Sequence, residues 1–257
     1  MILYHEQNLC PPPFFRLHIE KETDSTNTHL FRLAEDGEAS GLVLLARRQS
    51  AGKGSRGRSF FSPEGGLYFS ILLRNLPPHR LSLLTPLTAV AVYRALRPHT
   101  NKDLAIKWVN DLYLEGKKVC GILTENRFTG TESTTVVGVG INLLPPINGF
   151  PTDFFHPAAA LLRTPDTAAA EDILNTFFKE FDLLLKTGNC LEEYRAHCCT
   201  LGKEVVLCTG KETITGKAVA ILDDGALLLR FADGREQAFS AGEVTSQHKT
   251  QENGESI

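Results

Sequence analysis

No excess of basic charge marks this chain. Its 27 Lys and Arg stand against 30 Asp and Glu over 257 residues, a formal net charge of -3. The global cationic field that carries nucleic-acid binding is therefore missing. The six cysteines form no CxxC pair, and Cys198 and Cys199 are adjacent, so neither a disulfide framework nor a tetrahedral zinc pattern is written in their spacing; reduced thiols fit better. The opening MILYHEQNLCPPPFFRLHIEK has no basic n-region and too short an apolar run for a signal peptide. The most apolar stretch, 81–96, is broken by Pro86 and Arg94 and is too short to span a bilayer. These absences predict a cytoplasmic, soluble protein with no membrane and no nucleic-acid partner. Disorder, collagen and coiled coil are excluded by a composition of 42% hydrophobic and 22% charged residues, which is ordinary for a globular chain. The length suits one large domain, or one with a small companion.

What is present divides at Leu201-Gly202. Before it, strands and helices mix. Residues 1–15 read as a loose arm broken by Pro11-Pro12-Pro13, and 14–20 as a strand. A helix capped by Asp24 or Ser25 runs to Gly37, followed by buried strands at 41–47 and 66–74 and a buried helix at 81–96. Residues 111–114, 118–124 and 134–139 form an antiparallel meander, with Glu115-Gly116 as its first hairpin turn. Apolar residues at helical spacing predict a helix over 166–187, stopped by Gly188, and a shorter one over 191–199. After Leu201, strand candidates at 204–208, 213–222, 226–231 and 236–239 are punctuated by Asp223-Asp224-Gly225 and Asp233-Gly234, the signature of a small all-β barrel. The predicted division is a catalytic part over 1–200, a barrel over 201–247 and a frayed tail over 248–257.

Two segments carry chemistry. Residues 47–58, RRQSAGKGSRGR, hold five cations and no acid. Gly52, Gly54 and Gly57 let backbone N–H groups approach a ligand and build an anion-binding nest. Their GxGxxG spacing is not a dinucleotide fingerprint, because a strand rather than a helix follows; no GK[ST] makes it a Walker loop. Composition alone also allows a mobile solvated loop. The second segment is Lys107-Trp108-Val109-Asn110-Asp111, which contains the single tryptophan. A lysine fixed beside a large aromatic can neutralise a carboxylate and an attacked phosphate; a strand-edge lysine with a core tryptophan is the plainer reading.

Together these segments resemble the biotin–protein ligases. Asp24-Ser25-Thr26-Asn27 looks like the family's DSTN. Gly52 to Arg58, with Ser62-Pro63 and Gly66-Leu67-Tyr68-Phe69-Ser70, looks like GRGRxGR…SPxGxNLYLS. Lys107 to Leu114 and Lys118 to Glu125 look like KWPNDLYL…KLAGILVE, and Gly138 to Leu143 looks like GxGINL. The resemblance implies an α+β fold: a mixed β-sheet packed against helices, as in class II synthetase-like and biotin–lipoate ligase catalytic domains, followed by a small SH3-like barrel. It implies that biotin and MgATP give biotinyl-5′-AMP and pyrophosphate, and that a lysine of a biotin carboxyl carrier domain then displaces AMP.

Carried over residue by residue, Lys107, Arg56 and Arg58 are the catalytic candidates, offsetting the repulsion between carboxylate and phosphate. Ser25, Thr26 and Gln49 are assigned to the ureido ring, which needs neutral polar partners. Lys53, Gly54 and Ser55 wrap the carboxylate end and the phosphate, and Asn27 and Gly52 are assigned to substrate binding. Trp108, Gly121, Ile122 and Leu123 line the apolar floor. Asn110, Asp111 and Lys118, with Arg56 and Arg58, are assigned to ATP; no residue is assigned as a metal ligand, although Mg2+ is implied with ATP. Helix capping alone would explain one of Ser25 and Thr26. Only about two dozen residues precede the DSTN segment, so the resemblance points to the monofunctional type without a DNA-binding domain; a homodimer is left open. The rival readings are a lipoate or octanoate ligase or transferase of the same fold, and a non-catalytic biotin or nucleotide sensor.

Overall fold

The computed structural model describes residues 3–151, 157–210 and 212–246. The predicted tail at 248–257 lies outside them. Among the described residues, twelve strands form two sheets, accompanied by four α-helices.

The larger sheet has seven strands in the order β1-β2-β3-β7-β6-β5-β4. These are β1 (Arg16–Glu20), β2 (Leu42–Ala46), β3 (Leu67–Arg74), β4 (Leu104–Lys107), β5 (Asp111–Leu114), β6 (Lys117–Thr129) and β7 (Glu132–Ile141). Among the described strands, β1 and β2 are the one pair that runs parallel. The helix α1 (Thr26–Glu35) connects them, so β1-α1-β2 is a βαβ unit, whose ligand sites form at the carboxyl ends of its strands. The remaining pairs are antiparallel, and β5-β6-β7 is the expected meander.

Both faces of the sheet are covered, which is why β2 is buried throughout and β3 nearly so. On one face Leu30, Phe31 and Ala34 of α1 pack with Leu42, Leu44, Leu72 and Val136. On the other, α2 (Pro78–Leu96) and α3 (Thr167–Thr187) meet the larger core, in which Phe69, Phe177, Phe178 and Phe181 are fully buried. Asp166 caps α3 by accepting from the Ala169 N–H at 3.0 Å, and Gly188 ends it at φ 74°, as the apolar spacing predicts. The helix α2 begins three residues earlier than the sequence suggests, with Pro78 at its first position, where a missing N–H costs nothing. A short α4 (Leu191–Ala196) follows α3.

The C-terminal unit is a five-stranded antiparallel sheet in the order β11-β10-β9-β8-β12. It contains β8 (Glu204–Cys208), β9 (Thr213–Ile221), β10 (Leu227–Arg230), β11 (Glu236–Phe239) and β12 (Glu243–Ser246). Among the described residues, no helix is long and apolar enough to cross a membrane.

Three features differ from the sequence reading. The N-terminal arm is not loose. Leu3, Tyr4, Leu9 and Phe15 are buried; Glu171 accepts from the His5 N–H and the Asn8 amide, both at 2.8 Å, and Asn175 accepts from the Cys10 N–H at 2.7 Å. The three prolines end a segment that α3 holds by side chains instead of by a strand. The strands β4 and β12 escape the sequence reading because, unlike the equally short β5, β10 and β11, neither adjoins a hairpin turn that the sequence marks.

Candidate active site

Sheet register builds the site. Directly opposed residues share a face. Lys107 of β4 opposes Asp111 of β5, Asp111 opposes Gly121 of β6, and Gly121 opposes Gly140 of β7. One row across four strands therefore reads lysine, aspartate, glycine, glycine. The adjoining row on this face sets Leu123 against Gly138 and Gly138 against Ser70 of β3. Three glycines on neighbouring strands leave a floor without side chains.

The N-terminus of α1 covers one end of this floor. Ser25 is its N-cap. Asp24, just before it, accepts two hydrogen bonds from Arg32 at 2.7 and 2.9 Å, and that guanidinium holds its carboxyl well below the usual carboxylate range. Asn27 lies over Gly138: a Cβ there would sit 2.1 Å from Asn27 Oδ1. The Asn27 amide donates to Glu125 Oε2 at 2.7 Å and to the Leu123 carbonyl at 3.2 Å, while its oxygen accepts from Ser70 at 2.6 Å. Because Asn27 has no slack, Gly138→Ala is expected to destabilise the fold by about 1–3 kcal/mol. Urea unfolding checks this, and a midpoint unchanged from wild type would show that the helix end shifts freely.

The loop after β2 forms the opposite wall. Gln49 Oε1 accepts from the Thr26 N–H at 2.8 Å and from Thr26 Oγ1 at 3.1 Å. Lys53, Gly54 and Ser55 line the groove, and the Phe60 ring lies across the floor. Cβ atoms at Gly140 and Gly121 would fall 2.5 and 2.9 Å from that ring. The space left free is about 30 Å³, room for about two waters. Lys118 closes the end towards β4, pairing with Asp111 at 2.7 Å.

Of the residues assigned from sequence, Ser25, Thr26, Asn27, Gln49, Lys53, Gly54, Ser55, Asn110, Lys118, Gly121, Ile122 and Leu123 line this groove together. Gly52 is buried immediately behind it, against Phe60 and Ser62. Asn110 supports the floor: its amide donates to the Ile122 carbonyl at 2.7 Å and its own carbonyl accepts from the Ile122 N–H at 2.8 Å. Asp111 is engaged by Lys118. Among the described residues no cluster of three His, Cys, Asp or Glu side chains could hold a resident ion.

Lys107 stands at the end of the row and borders a second cavity of 680 Å³ with Tyr113, Cys199 and Lys203. Its ammonium donates to the Tyr113 hydroxyl at 3.2 Å. Burial pushes its pKa below the ordinary lysine value, against the pull of Asp111 and Glu243. Arg58 crosses to the small sheet and pairs with Glu243 at 2.6 Å. Arg56 is exposed, at the left-handed φ of 60°.

Trp108 is the clear correction. It is 2% exposed and does not line the groove; its indole N–H donates to the Gly225 carbonyl at 3.0 Å, in the turn before β10. Trp108 lies one residue beyond β4, in the turn that leads to β5, and that turn sends its side chain into the junction with the small sheet. Phe60, Gly138, Val139 and Gly140 also line the groove and were not assigned from sequence. Alternating glycines on an otherwise aliphatic strand were the available signal.

This fold and groove define an adenylating acyl ligase, and the chain belongs to the biotin/lipoate A/B protein ligase family. The profile of that family matches residues 20–142, and the profile of the biotin protein ligase C-terminal domain matches residues 200–245. The biotin--[acetyl-CoA-carboxylase] ligase of Paracoccus denitrificans is 34% identical over 237 residues, covering 86% of this chain and 97% of that protein. The bifunctional ligase/repressor BirA of Bacillus subtilis is 31% identical over 227 residues, 84% of this chain and 70% of its own. Among solved structures, the biotin protein ligase from Aquifex aeolicus in complex with biotin and ATP superposes with a TM-score of 0.71 at 29% identity, covering 90% of this chain and 97% of that one.

Proposed function

We infer that this protein attaches biotin to a lysine of a carrier protein at the expense of ATP, through biotinyl-5′-AMP. The observation that carries the reading is the glycine floor, walled by neutral hydrogen-bonding side chains at one end and cations at the other. A fused ureido ring suits the neutral end, and a carboxylate suits the cationic end.

In the first step a carboxylate oxygen attacks the α-phosphorus, forming the mixed anhydride and releasing pyrophosphate. Two anions must meet, so the protein's work is to hold them in line and offset their charge. Ser25, Thr26 and Gln49 grip the ring. The loop from Lys53 to Ser55 wraps the carboxylate end, shaped by the Gly54 N–H donating to the Arg58 carbonyl at 2.7 Å. Lys107 faces the reacting groups from the end of the strand row, and Arg56 and Arg58 complete the positive field. Phe60 must leave the floor, because the free cavity is too small for a bicyclic ring. In the second step an uncharged carrier lysine attacks the acyl carbon and AMP departs. The carrier is a biotin carboxyl carrier domain. Asn110 and Lys118 face the nucleotide side, where magnesium would arrive as the chelate of ATP and offset phosphate charge. The small sheet reaches the site through Glu243.

The test is ATP–pyrophosphate exchange run with biotin, lipoate, octanoate and no acid. Biotin alone is expected to support exchange. Exchange with lipoate or octanoate in its place would overturn the substrate assignment, and no exchange with any acid would overturn the activity.

A further inference from the structure

The Gln49 amide is clamped on both sides, by Thr26 and by Ser62. Its oxygen accepts from the main-chain N–H of Thr26, a donor that cannot reverse. The amide orientation is therefore fixed, and Nε2 must face the other way. There it donates to Ser62 Oγ at 2.8 Å. Ser62 is 4% exposed, and its hydroxyl proton goes to the Phe60 carbonyl at 2.9 Å. The Ser62 carbonyl also accepts from the Gln49 N–H at 3.0 Å, so main chain and side chain lock positions 49 and 62 together. A Cβ at Gly52 would lie 2.4 Å from the Phe60 carbonyl oxygen, 2.6 Å from Ser62 Oγ and 3.0 Å from Gln49 Nε2. The glycine at position 52 makes room for this relay.

Hydrogen-bond accounting gives the consequence. The Gln49 oxygen already accepts two bonds, from Thr26 N–H and Thr26 Oγ1. Of its two amide protons, Ser62 takes one. A single N–H remains for the groove, so Gln49 meets a ligand as a donor only. We propose that Ser62 is a positioning residue that fixes Gln49 in this donor-only orientation, and so sets which face of the substrate ring, the one bearing its carbonyl acceptor, the site admits. The proposal rests on the biotin reading for the identity of the ring, but the clamp itself does not.

The test combines turnover with a readout in the ligand-free protein. Ser62→Ala, Gln49→Ala and the double variant are assayed for KM of biotin and of ATP. Loss of one neutral hydrogen bond predicts a rise of about three- to tenfold in the biotin KM for Ser62→Ala, with the ATP KM within about twofold of wild type. In the Gln49→Ala background Ser62→Ala is expected to add nothing, because Ser62 acts through that amide. In nitrogen-15 spectra of the free protein, one Gln49 side-chain proton is expected to exchange slowly in wild type and to lose that protection in Ser62→Ala. If the alanine variant does not fold, Ser62→Cys, a weak acceptor of similar size, supplies the same readouts. Equal effects in both backgrounds, a parallel rise in both KM values, or unchanged Gln49 protons in the serine variant would each overturn the proposal. A wild-type protein inert towards biotin would refute the substrate reading, while the amide spectra would still decide the role of Ser62.

Discussion

Lys107→Ala is expected to slow biotin-dependent ATP–pyrophosphate exchange by about 10²–10³-fold, the usual cost of removing one preorganised charge-stabilising donor. The loss falls on kcat more than on the biotin KM, because the ring-binding residues stand at the far end of the floor. Burial lowers the Lys107 pKa, so its neutral form appears at lower pH than for an ordinary lysine. Activity that needs the cation is therefore present on the acid side of that pKa and lost as pH rises through it. The alkaline limb of the rate profile should lie below the ordinary lysine range. Lys107→Arg, whose guanidinium stays charged, should retain part of the rate and move that limb upward. Exchange within twofold of wild type in the alanine variant would remove Lys107 from the mechanism, and an unmoved limb in the arginine variant would assign the titration to another group.

Trp108→Ala carries the largest expected cost in stability. The side chain is buried at the junction of the two sheets, donates to the Gly225 carbonyl and lies beside Gly242. Its main-chain N–H donates to Thr200 Oγ1 at 3.1 Å. Truncating a buried aromatic of this size costs about 3–5 kcal/mol, and Trp108→Phe should lose about 1 kcal/mol through the missing indole bond. Urea denaturation followed by far-UV circular dichroism measures both. Trp108 is the only tryptophan, so its fluorescence in the wild type reports the junction itself. Coincident fluorescence and dichroism transitions are expected if the two sheets unfold as a unit. An early fluorescence transition, with an alanine variant of near-normal dichroism midpoint, would show that the small sheet detaches freely.

The sequence displayed the long-period features plainly. The α3 stripe from Ile173 to Leu184, the Asp166 cap and the Gly188 stop could be read from spacing and end chemistry alone. The hairpin punctuation after Leu201 announced a small all-β unit. The motifs also named most residues of the groove, although Gly52 stands one layer behind it. What could not be read depends on partners distant in the chain. The N-terminal arm is ordered by Glu171 and Asn175, more than 160 positions away. Trp108 was assigned to the floor because a motif groups it with Lys107, whereas the strand ends at Lys107 and the turn after it carries the tryptophan away. The Phe60 ring reaches the floor only because Gly121 and Gly140 meet by register, and no local pattern encodes that meeting.

The parallel pairing of β1 and β2 continues past the strands themselves. The offset that sets Arg16 beside Leu42 also sets Thr23 beside Gln49, and Ala51 still donates to the Asp24 carbonyl at 2.8 Å. The two segments that grip the ring are thus held in one hydrogen-bonded register, and their ordering is complete before any ligand arrives. The cationic strip from 55 to 58 lies beyond that register and is held separately, by its own turn and by the Arg58–Glu243 pair to the small sheet. An intermediate seated here has its ring and its anhydride under two independent supports. The reactive end can be bared to an incoming amine while the ring stays moored, so handing over the acyl group does not require letting go of it.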